Sequence, residues 1–113
     1  MGSSLGSLEE LILLAVCGLS DGAYAVPIQQ HIQNEASRDT AMGAVYATLD
    51  RLEKKGYLRS KLGPVSHEQG GKRKRFYEIT GSGMQAISRT RNARERLFGL
   101  VDPELKPQLT GSS

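Results

Sequence analysis

The sequence predicts a mainly α fold with one small β-hairpin, an α+β winged helix-turn-helix carrying an additional C-terminal dimerisation helix. Three observations predict it. Apolar periodicity and capping signals give the order helix, helix, helix, hairpin, helix. The third of these helices opposes an apolar face to one that is small and then basic. Between the two strand-like runs lies Gly70-Gly71-Lys72-Arg73-Lys74-Arg75, two glycines followed by four successive cations. The 113 residues suffice for one compact domain. The expected divisions are a flexible N-terminus at 1–6, the winged helix-turn-helix at 7–80, a dimerisation helix at 81–100 and a flexible tail at 101–113.

The elements follow in order. Ser7-Leu8-Glu9-Glu10 reads as a capping box, with the Ser7 hydroxyl accepting from the Glu10 amide while that carboxylate reaches back. The helix it starts, Leu8 to Leu19, is apolar on nearly all sides, so it needs partners on two faces, the second expected on another subunit. Cys17, in that apolar run, is expected as a small buried hydrophobe. A turn at Gly18 to Gly22 leads to a helix over about 24–35, with Tyr24, Ile28 and Ile32 every four residues and Pro27 tolerated in the first turn. Thr40 can cap a third helix over about 41–55, which Gly56 ends. Val45, Leu49 and Leu52 fall on one face of it, Ala44, Ala47, Arg51 and Lys54 roughly opposite, and Tyr46 on a flank. Strands at 57–66 and 76–79 form the hairpin. Thr80 caps a last helix over about 81–100, whose apolar positions Met84, Ile87, Leu97 and Phe98 are separated by a basic middle containing Arg89, Arg91, Arg94 and Arg96.

Charge divides the chain. The net charge of +3 combines a first half, residues 1–50, with one base against six acids (−5) and a remainder with 14 bases against 6 acids (+8). Residues 51–75 alone hold nine bases and two acids, a balance of +7. A cationic surface concentrated in one stretch suits a polyanion. One cysteine excludes an internal disulfide framework and any multi-cysteine metal site, which fits a reducing compartment, and cytoplasm is the expectation. No apolar run approaches the roughly 20 residues that span a bilayer, so no membrane partner is expected. His31 and His67 lack the acids or second ligands of a metal or catalytic site. With no nucleophile and base constellation, metal spacing or phosphate-cradling loop, neither an enzyme nor a cofactor is expected.

Three segments carry a resemblance. Leu5-Gly6-Ser7-Leu8-Glu9-Glu10-Leu11-Ile12-Leu13, Ala44-Val45-Tyr46-Ala47-Thr48-Leu49-Asp50-Arg51-Leu52-Glu53-Lys54-Lys55-Gly56-Tyr57-Leu58, and Lys74-Arg75-Phe76-Tyr77-Glu78-Ile79-Thr80 followed by Gly83 resemble the PadR family of transcriptional regulators, in its short form with a single helix after the wing. The match covers nearly all of residues 7–99. It departs from the family at Ala41 and Met42, where many members have a Ser followed by Pro or another small residue, and in lacking Trp. The resemblance implies a first helix that contributes to dimerisation, a recognition helix, a Tyr46 hydroxyl on a phosphate, and control by a small effector in or near the dimer interface. The sequence identifies no such ligand. Packing of the Tyr46 ring against the hairpin is the equal alternative to its phosphate contact.

The reading that results is a sequence-specific transcriptional repressor acting as a homodimer on double-stranded operator DNA, with its two recognition helices in successive major grooves about 34 Å apart. The expected DNA-binding residues are Gly43, Ala44, Tyr46, Ala47, Arg51, Lys54, Lys55, Lys72, Arg73, Lys74 and Arg75. The expected dimer interface comprises Leu8, Leu11, Ile12, Ala15, Met84, Ile87 and Leu97. The alternative is a winged-helix protein-interaction module without a specific DNA target, against which the basic wing argues. RNA stays open as well, because attraction to phosphate does not separate the nucleic acids.

Overall fold

A computed structural model describes residues 5–65 and 73–106. Helix α1 spans Ser7–Leu19, α2 Ala25–Ala36, α3 Met42–Lys54 and α4 Gly81–Gly99, with strands β1 (Leu58–Val65) and β2 (Arg73–Ile79) between α3 and α4. Single 3-10 turns lie at Ser20–Gly22 and Pro103–Leu105. The expected architecture is observed, and the main differences lie at element ends and in what α1 packs against. Gly70, Gly71, Lys72 and His67 lie outside the described residues, as does everything after Lys106.

The core is built where the periodicity placed it. Ile12, Leu13 and Val16 of α1, Ile28 and Ile32 of α2, and Val45, Leu49 and Leu52 of α3 are enclosed together, closed from below by Tyr57, Leu58 and Tyr77 of the hairpin and by Ala86 and Ile87 of α4. α1 is central: it packs against α2, α3, β2 and α4. Its wide apolar perimeter is therefore covered largely within one chain. Ile12 and Ala15, expected at a dimer surface, are enclosed within the single subunit at 0% and 2% exposure, and Ile87 is 6% exposed. Leu14, at 47%, is the α1 leucine left facing outward.

The start of α1 also differs from the expected capping box. The helix begins one residue earlier, so Gly6 is the N-cap and Glu9 the third helical residue, and the Gly6 amide donates to Glu9 Oε1 at 2.8 Å. Ser7 Oγ, freed from capping, accepts from Arg38 Nη1 at 3.0 Å. Cys17 is exposed rather than buried, since it falls on the face of α1 turned from the core, with its sulfur 3.9 Å from Met84 Sδ. Ala41, not Thr40, is the N-cap of α3. The Thr40 carbonyl is instead engaged by Gln29 Nε2 at 2.6 Å, which ties the turn to α2.

Two caps behave as the sequence indicates. Gly56, at φ +81°, lets the chain leave α3 through the left-handed region, with the Gly56 amide on the Glu53 carbonyl and the Tyr57 amide on the Leu52 carbonyl, both at 3.0 Å. Thr80 Oγ1 accepts from the Gly83 amide at 3.1 Å and starts α4. The hairpin is antiparallel, running from Leu58 opposite Ile79 to Leu62 opposite Arg75, with an irregularity before Val65 meets Arg73. A backbone bond from the Tyr77 amide to the Ala23 carbonyl, 2.9 Å, fastens β2 to the turn after α1.

Candidate nucleic-acid interface

The exposed side of α3 is assembled by elimination. Val45, Thr48, Leu49 and Leu52 face the core, which turns Gly43, Ala44, Tyr46, Ala47, Asp50, Arg51 and Lys54 to solvent. The first half of this face is nearly free of side-chain bulk. Nothing lies within 4 Å of where a Gly43 Cβ would stand. A helix with a low profile there can approach another backbone or a groove floor closely. Tyr46 stands out from it at 56% exposure. Lys54 pairs with Asp50 at 3.1 Å in an exposed i,i+4 contact, which leaves its ammonium in solvent.

Two of the expected cations are held at the C-terminal end of α3 by an acid from another helix. Glu9 Oε2 accepts from Lys55 Nζ at 2.8 Å and from Arg51 Nε at 3.3 Å. Arg51 Nη2 also donates to Thr48 Oγ1 at 3.3 Å. Burial would push the Glu9 carboxyl up, but hydrogen bonds from Lys55 and Gly6, the Lys55 charge and Arg51 together hold it below its ordinary value of 4.5. The Lys55 side chain is one-quarter exposed and that of Arg51 about half. Glu9 has the largest role that sequence reasoning missed. The available signal was the i,i+4 spacing of Arg51 and Lys55, which puts two cations on one side of α3 where one buried anion can take both.

The described part of the wing is similarly structured. Arg73 Nε donates to the Gly63 carbonyl at 2.7 Å and remains exposed. Lys74 turns inward: its Nζ lies 4.5 Å from the centroid of the Tyr24 ring and 3.3 Å from the Tyr24 hydroxyl, beside the edge-on Tyr24 and Phe76 pair. Arg75 Nη1 donates to Ser60 Oγ at 3.0 Å, and that hydroxyl donates to Glu53 Oε2 at 2.7 Å, a relay that seats the hairpin on α3. Arg59 and Glu78 pair across the strands at 2.7 Å, and the Arg59 hydrogen bond and charge hold the Glu78 carboxyl below 4.5.

A second surface lies across the molecule. A groove of about 260 Å³ between α1 and α4 has Leu14, Met84 and Ile87 as its apolar floor and Glu10, Arg91, Arg94 and Glu95 among its rim. Beyond it, Leu97, Phe98 and Leu100 are more than half exposed. Of the expected interface residues, Met84, Ile87 and Leu97 belong to this surface, whereas Leu8 and Leu11 are half-buried against the core. Among the described residues no group of three or more His, Cys, Asp or Glu could hold a metal ion, and no helix is long and apolar enough to cross a membrane.

Comparison with known proteins agrees with this geometry. Residues 13–89 match the transcriptional regulator PadR-like family. A curated relative, an uncharacterised protein of Lysinibacillus sphaericus, is 35% identical over 85 residues, covering 74% of this chain and 73% of its own. Among solved structures, a PadR-like transcription factor from Bacteroides fragilis superposes with a TM-score of 0.71 at 26% identity, over 83% of this chain and 85% of that one. A PadR family regulator from Clostridium difficile gives a TM-score of 0.73 at 20% identity, over 89% and 100% respectively, and so shows the shared fold.

Proposed function

The chain belongs to the transcriptional regulator PadR-like family, and from that premise we propose that it is a homodimeric, sequence-specific repressor whose hold on an operator is released by a small effector. At the coarser level it is a DNA-binding transcription regulator and not an enzyme. The observation that carries the finer reading is the exposed face of α3, small at Gly43, Ala44 and Ala47, then basic at Arg51 and Lys54, with Tyr46 on its flank. Small residues let the helix sit deep in a major groove, and the cations at its far end meet base edges or phosphates. Arg73 extends the same charge along the wing, where the backbone or minor groove would lie.

The apolar groove between α1 and α4 and the exposed Leu97, Phe98 and Leu100 support a second copy of the chain as partner. An effector near that interface would act by altering the separation of the two α3 helices. Selection of bound sequences from random duplex DNA tests the reading directly. The expected result is an enriched motif with two half-sites about one helical turn apart. Recovery of no motif at moderate salt would overturn sequence-specific binding. Transcription in vitro from a promoter carrying that motif should fall when the protein is added, and a rise would make it an activator.

A further inference from the structure

The contacts at the C-terminal end of α3 fix the orientation of one side chain that the recognition surface uses. Both oxygens of Glu9 are engaged, Oε1 by the Gly6 amide and Oε2 by Lys55 and Arg51, and the side chain is 7% exposed. Such a carboxylate has no freedom to turn away. It holds Arg51 through Nε, while Thr48 Oγ1 takes Nη2, so the side edge of the guanidinium is occupied by the protein. Arg51 is nevertheless about half exposed. The end edge of its fork, Nη1 with the second hydrogen of Nη2, is the edge that takes a guanine or a phosphate in two parallel bonds. An arginine held in this way loses less rotamer freedom on binding than a free one.

We propose that Glu9 is a positioning residue for DNA reading: from α1 it fixes Arg51 by one edge so that the other is presented from α3 to a base. The same contact keeps Lys55 on the protein and off the phosphates. The proposal rests on α3 being the recognition helix, and it adds that discrimination between sequences depends on an acid that does not itself meet the DNA.

The test measures affinity for a selected duplex and for random duplex at several salt concentrations, in wild type, Glu9→Gln, Arg51→Ala and the double variant. Glu9→Gln should lower the preference for the selected duplex about tenfold, near the low end of what a bidentate base contact is worth. Random-duplex binding should hold or strengthen, with a salt dependence steeper by up to about 1 per subunit, because Lys55 is released to phosphates. In the Arg51→Ala background, Glu9→Gln should change the preference by less than about twofold. An unchanged preference in Glu9→Gln, or the same loss with and without Arg51, overturns the proposal. A wild-type chain with no preference at all overturns the DNA reading with it, whereas a preference that survives Glu9→Gln overturns this proposal alone. If Glu9→Gln does not fold, nitrogen-edited NMR of the free wild-type protein decides: the Arg51 Nε proton, assigned by its loss in Arg51→Lys, should exchange slowly near neutral pH. Rapid exchange there would mean that Arg51 is not held.

Discussion

Burying Glu9 removes its carboxylate from water, and three donors must compensate for that loss together. Replacing it with Ala leaves the Gly6 amide, Lys55 and Arg51 without their acceptor. Because both cations still reach solvent, the expected cost is about 2 kcal/mol, below the range for a fully enclosed pair. Urea unfolding should show it as a lower midpoint at unchanged slope. The same group sets an acid limb. With its folded value below 4.5, Glu9 contributes stability that is present above the unfolded value and is lost as pH falls through the folded one. Wild type should therefore exceed Glu9→Gln in stability at neutral pH, with the gap narrowing as pH is lowered below 4.5. A gap that stayed constant would mean that folding does not change the affinity of this carboxylate for its proton. At Cys17, shielding of the sulfur pushes the thiol above its ordinary 9.0, so although the residue is exposed it is held as the unreactive thiol at neutral pH.

Among the elements, α4 depends on a close approach at its first turn. A Cβ on Gly83 would fall on the Tyr57 carbonyl and within 2.7 Å of Ile79 Cγ1. Elsewhere in a helix Gly→Ala gains up to about 1 kcal/mol, but here the sign reverses: Gly83→Ala should destabilise by about 2 kcal/mol, measured by thermal or urea unfolding, since backbone cannot move aside as a side chain can. The wing gives the next prediction. Arg73→Ala should flatten the log–log salt dependence of DNA binding by about 1 per subunit, while Lys74→Ala should leave that slope nearly unchanged and lower stability instead, because Lys74 lies on the Tyr24 ring. Equal slopes for the two variants would mean that the charges are not sorted in this way. The order of elements and the core of α2 and α3 were legible because Ile28, Ile32, Val45, Leu49 and Leu52 recur at helical spacing. The surroundings of α1 were not. Periodicity shows how much apolar perimeter a helix has, yet Ile12 and Ala15 are covered by their own chain because four elements converge on α1. Nor could spacing alone reveal that a capping acid, displaced by one residue, would hold the far end of α3.

At the scale of the molecule, α4 is half incorporated. Gly83, Ala86 and Ile87 are buried in its first two turns, whereas from Ser88 onward none of its residues is, and the Arg94 to Glu10 pair, 2.9 Å, is a tie back to α1. The paired substitution of Leu97→Asp and Phe98→Asp should therefore leave the fold of the subunit intact, shift its mass to that of a monomer at micromolar concentration, and weaken binding to a two-half-site duplex far more than to a single half-site. Sedimentation velocity and DNA titration check this, and a dimeric mass in the double variant would place the interface elsewhere. The anchoring of α4 at one end also makes it a lever. Its outer portion, 12 residues from Ser88 to Gly99, is about 18 Å long, so a tilt of about 10° where it leaves the core after Ile87 displaces its tip by about 3 Å. That is close to the rise of one base pair, about 3.4 Å. In the proposed dimer on DNA, the angle at which Gly83 seats this arm against Tyr57 and Ile79 would act as a ruler, setting how far a pair of reading heads could deviate in spacing before they fell out of phase with the double helix.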